Sequence, residues 1–68
     1  MELKINNQFK QFQADTLSIQ SLLDIEFPQK QNGIAVAINH NVIPKSNWNS
    51  HLLSETDDIL IISATQGG

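Results

Sequence analysis

The chain has 68 residues with 4 Lys+Arg, 7 Asp+Glu and a formal net charge of −3; all four basic residues are lysines and there is no Cys. That length holds one domain. The composition excludes a disulfide framework, a thiolate metal site and a cysteine nucleophile, and it lacks the basic patch that nucleic-acid binding requires. Leu, Ile, Val and Phe make up 21 of the 68 residues, about 31% against the roughly 20% below which chains stay disordered, so folding is expected. No apolar run approaches a membrane span, and the first residues do not read as a signal peptide, so a cytoplasmic protein is expected. A chain this small has little interior for a deep pocket, which favours a binding or carrier module over an enzyme.

Residues 2–6 alternate polar and apolar, placing Leu3 and Ile5 on one face of a strand. Asn6-Asn7 suits a tight turn, because Asn tolerates the left-handed region. Residues 8–13 then read as the second strand of a hairpin, with Phe12 inward. Ser18 is placed to cap a helix in which Ile19, Leu22 and Leu23 form one apolar stripe. That helix ends by Phe27, since Pro28 pushes its predecessor out of the α region. Residues 29–33 form a loop closing in Gly33. Residues 34–38 are the clearest strand, with Ile34, Val36 and Ile38 toward the core and Ala35 and Ala37 on a low opposite face. A turn at 39–41 leads to a short edge strand, Val42-Ile43, stopped by Pro44. Residues 46–50 read as irregular or 3₁₀, and Leu52 and Leu53 as returning to the core. An acidic turn at 54–58 precedes a last strand at 59–62, and residues 63–68 form an extended, flexible tail. The order ββαβββ is an α+β architecture in one domain: a mixed sheet of four to five strands packed on one helix.

Few residues suggest chemistry. His40 and His51 are read as exposed turn residues rather than a metal or base pair, because no other ligand stands at a recognisable spacing. Trp48 is read as core rather than an interface anchor. Glu55, Asp57 and Asp58 are read as a solvated turn, lacking the spacing of a calcium loop. No catalytic residue and no metal ligand is assigned. The last strand is more informative. If Ile59 and Ile61 face inward, Leu60 and Ile62 face out beside Ala35 and Ala37, making an exposed apolar patch suited to docking a partner. The chain closes in Gly67-Gly68. At a Gly usage of about 7% a terminal pair arises in roughly one chain in two hundred. A backbone bearing only hydrogens can enter a narrow channel. The six residues 63–68 would reach at most about 20 Å, enough to carry a terminal carboxylate into another protein's active site.

These features together carry a resemblance. The quoted residues are Ala37-Ile38-Asn39, Val42-Ile43-Pro44-Lys45, Trp48, Asp57 to Leu60 and Gly67-Gly68. With the hairpin–helix–sheet order, they resemble the ubiquitin-like β-grasp proteins, and among these the sulfur carriers of thiamine biosynthesis, the ThiS family. Two positions depart from the family pattern. The acidic turn reads Glu55-Thr56-Asp57 where a Gly is usual, and Lys45 stands where Arg is common. The resemblance implies a β-grasp fold and a carrier cycle. A ThiF-type enzyme, which owns the ATP and Mg²⁺, would adenylate the Gly68 carboxylate. A persulfide donor would replace AMP to leave a C-terminal thiocarboxylate. Thiazole synthase would take the sulfur. Gly68 would be modified, Gln66 and Gly67 would form the threading tail, and Ala35, Ala37, Leu60 and Ile62 the docking face. The carrier itself would bind no cofactor. Three alternatives stay open: a carrier of the type of the molybdopterin synthase small subunit, a ubiquitin-like protein joined to amines, and a plain interaction module.

Overall fold

A computed structural model describes residues 1–29 and 32–63. Its elements are β1 (Glu2–Ile5), β2 (Gln8–Gln11), α1 (Ile19–Glu26), β3 (Ile34–Ile38), β4 (Asn41–Val42), a 3₁₀ turn (Lys45–Asn47) and β5 (Asp58–Ser63). The five strands form one sheet in the order β2-β1-β5-β3-β4. β5 inserts between the two hairpins, parallel to β1 and antiparallel to β3. The mixed sheet and the single helix meet the ββαβββ expectation.

Each turn has a local cause. Asn6 and Asn7 have φ of 52° and 67°, and Asn39 and His40 have 52° and 73°. Two successive positive-φ residues make the tight turn whose twist matches a hairpin, and Asn meets its steric demand better than most non-glycine residues. The second turn therefore spends only Asn39 and His40, and β4 starts at Asn41, one residue earlier than expected. Ile43 falls just outside it, with its N–H donating to Val36 C=O at 2.9 Å. The helix starts where Ser18 Oγ accepts from Ser21 N–H at 3.1 Å, the N-cap geometry of an otherwise unsatisfied first turn. It closes at Phe27, whose N–H donates to Leu23 C=O at 2.7 Å.

The helix stripe of Ile19, Leu22 and Leu23 joins Leu3, Val36, Ile59 and Trp48 in one buried cluster. Trp48 belongs to the core as expected, and its indole N–H donates to Ile43 C=O at 3.0 Å, which satisfies the polar end of a buried aromatic. Three expectations need correction. Leu52 is 63% exposed while Leu53 is buried. Ile19 N–H donates to His51 C=O and Leu53 N–H to Leu17 C=O, so 51–53 runs extended beside 17–19, and adjacent side chains take opposite faces. β2 closes at Gln11, and Phe12 lies half-buried just past it, its N–H donating to Met1 C=O at 2.8 Å. Ser63, expected as the first tail residue, still pairs with Ile34 as the end of β5. The rest of the expected tail, including Gln66, Gly67 and Gly68, lies outside the described residues.

Candidate docking face and its support

The helix covers one face of the sheet, so side chains directed the other way meet solvent. Along β5, Ile59 and Ile61 turn inward, whereas Leu60 and Ile62 are 46% and 54% exposed. Register decides their neighbours: Leu60 pairs with Ala37, and Ile62 with Ala35. Directly paired residues project from the same face of a sheet. The four patch residues thus stand together, with Ala35 and Leu60 exposed and Ala37 half-buried. Ala37 also pairs with Val42, which is largely exposed. Val42 therefore extends the Leu60–Ala37 row to the sheet edge, a member that sequence reasoning missed. The signal was available: a short hairpin with a two-residue turn fixes that pairing.

On the other side of β5 lies β1, with Lys4 registered against Asp58. Phe9 pairs with Lys4 from β2 and is exposed. The outer face therefore carries an apolar block on β5, β3 and β4, a charged pair of positions beside it, and one aromatic near the far edge.

Two carboxamides fix the lower part of this face. Asn6 donates through Nδ2 to Ile61 C=O at 3.1 Å and accepts at Oδ1 from Ile61 N–H at 2.8 Å. Its side chain continues the β1–β5 ladder by one rung after the backbone has turned away. Asn39 accepts from Asp58 N–H at 2.8 Å and donates to Asp57 Oδ1 at 3.0 Å. Asp57 Oδ2 in turn accepts from Ser54 N–H at 2.8 Å, and Glu55 Oε2 accepts from Glu2 N–H at 2.9 Å. The acidic turn is tied by its own carboxylates to the start of the sheet. No residue from Ser54 to Asp58 has positive φ, so a turn built this way does not require the Gly usual at this place.

His40 is exposed and His51 half-buried, in two different loops. Among the described residues no group of three or more His, Cys, Asp or Glu is placed to hold a metal ion. No helix of the described residues is long and apolar enough to cross a membrane.

The ThiS family model matches residues 3–68. The sulfur carrier protein ThiS of Escherichia coli K12 is 32% identical over 68 residues, covering all of both chains. The crystal structure of a thiamine biosynthesis protein (ThiS) from Geobacter metallireducens matches with a TM-score of 0.84 over all of both chains, at 19% identity. At that identity the likeness speaks for the fold, and it agrees with the β-grasp expectation.

Proposed function

The chain belongs to the ThiS family, the sulfur carriers of thiamine biosynthesis, and on that premise we propose that its Gly68 carboxylate is the working group. A ThiF-type enzyme joins that carboxylate to AMP from ATP, releasing pyrophosphate; ATP and Mg²⁺ are held by the enzyme, and the carrier binds no cofactor. Adenylation turns a poor leaving group into a good one. The terminal sulfur of a persulfide then displaces AMP to give an acyl disulfide, and a second thiol attacks its S–S bond, leaving as a disulfide and releasing the C-terminal thiocarboxylate. The thiocarboxylate passes its sulfur to thiazole synthase during assembly of the thiazole ring. The carrier contributes no catalytic side chain. It works in the cytoplasm, by recognition and reach.

The observation that carries this reading is a family match that runs through Gly68. The fold supports it in a second way. Ser63, the last described residue, still pairs with Ile34, and a stretch of five residues such as 64–68 could span at most about 17 Å if extended. That is enough to enter a channel while the sheet stays outside. Ala35, Ala37, Leu60 and Ile62 form the surface on which the enzyme sits, with Gln66 and Gly67 threading toward the reacting atoms.

Intact mass tests the chemistry. Incubation with a ThiF-type enzyme, ATP and a persulfide source should add about 16 Da, one oxygen replaced by sulfur. One residue added after Gly68 should abolish the gain, and persistence of the gain would refute the tail assignment. Leu60→Arg should reduce adenylation at least tenfold by placing a charge in the centre of an apolar contact. An unchanged rate would remove the docking face.

A further inference from the structure

The outer face is not uniformly apolar. Where β5 begins, a hollow opens between the two hairpin turns, lined by Asn6, Asn7, Ala37, His40, Asp58 and Leu60, with Ile59 behind them. Its floor is Ala37 and Leu60, and the small Ala37 side chain between Val42 and Leu60 leaves the space. Its rim is polar. The Asn6 carboxamide is already committed to Ile61. Asp58 uses its backbone N–H toward Asn39, and no hydrogen bond or ion pair of its carboxylate is found among the described residues. Lys4 is registered beside Asp58, yet the one ion pair among the described residues is Lys10–Glu26. The hollow thus combines an apolar floor, a carboxylate without a partner among the described residues and the Asn7 carboxamide.

We infer that this hollow receives an arginine side chain of the adenylating enzyme; the inference rests on the docking reading above. The aliphatic stem lies on Ala37 and Leu60, as long cationic side chains do on apolar surface. The guanidinium reaches the Asp58 carboxylate, with the Asn7 carboxamide oxygen as a second acceptor. Arg fits better than Lys because its planar fork meets a carboxylate at two points. The net charge of −3 favours a cationic counterpart. Position supplies the purpose. Asp58 and Ser63 are five residues apart on β5, about 17 Å at strand rise. A charged contact at the start of β5 and a threaded tail beyond its end fix the carrier at two distant points, which sets its rotation on the enzyme. Apolar burial between them is non-directional and cannot do this.

The test is steady-state adenylation of the full chain by a ThiF-type enzyme. Asp58→Asn keeps the shape of the side chain and the backbone bond to Asn39. It should raise KM for the carrier about fivefold to tenfold with kcat nearly unchanged, and flatten the dependence of kcat/KM on salt between 50 and 300 mM. Thermal unfolding of the variant, matched to the parent, shows that the fold is kept. If Asp58→Asn leaves both KM and salt dependence unchanged while Leu60→Arg still blocks adenylation, the arginine contact is wrong and the docking face stands. If neither substitution matters, the docking reading has failed as well. A fall in kcat alone, at constant KM, would also overturn the inference, because a rim contact acts on encounter and binding.

Discussion

Ile59 and Leu60 are neighbours on one strand, nearly equal in size and hydrophobicity, yet Ile59 is sealed and Leu60 is about half exposed. The helix makes the difference, because it covers one face of the sheet and leaves the other bare. The inner face spends its apolar surface on folding. The outer face keeps apolar surface in water, at some cost in solubility, and on the proposed reading recovers it when a partner binds. With one α-helix among the described residues, the two tasks divide by strand alternation alone.

That comparison can be broken by measurement. The largest effect on stability is expected from Ile59→Ala, about 2–5 kcal/mol in urea unfolding, since the space it leaves is enclosed on all sides. If Leu60→Ala cost as much, the two faces would not differ in kind. Asp57→Ala comes next. It leaves Ser54 N–H and the Asn39 carboxamide without their acceptor, and should cost about 1–2 kcal/mol. Asp57→Asn, which keeps one acceptor oxygen, should lose less, and an equal loss would show that the turn is not held by those bonds. Leu60→Gln should have the smallest effect, within about 0.5 kcal/mol of the parent, while lowering adenylation severalfold. A Leu60→Gln protein that unfolds early and is adenylated normally would reverse the assignment of the two faces.

Much of this was legible in the residues. Asn6-Asn7 announced a turn because Asn accepts positive φ at modest cost, and a turn was legible at 39–41, although the structure confines it to Asn39 and His40. Ser18 and the stripe of Ile19, Leu22 and Leu23 announced the helix. Alternation in residues 34–38 and 59–62 announced both faces, and with them the patch of Ala35, Ala37, Leu60 and Ile62. Other features were not legible. Leu52 looked like core because hydrophobicity says nothing of direction; only the extended pairing of 51–53 beside 17–19 turns it outward. The Gly-less acidic turn looked like a departure in backbone, because Asp57 meets Asn39 across 18 residues of sequence. The hollow at Asp58 was invisible, since it is made by two turns 33 positions apart, Asn6 and Asn39.

The sequence by itself determined most of the local elements, the inward and outward residues of β1, β3 and β5, and the family to which the terminal Gly-Gly and the Asn39–Pro44–Trp48 block point. Those properties depend on near neighbours and on periods of 2 and 3.6, which any short stretch of chain displays. Only the tertiary structure decided that β5 lies between β1 and β3, and therefore that Val42, Ala37 and Leu60 form one row and that Asp58 faces the turn at Asn6-Asn7. Strand order is set by the fit of helix, sheet and turns in one shared core, a property that no single segment carries.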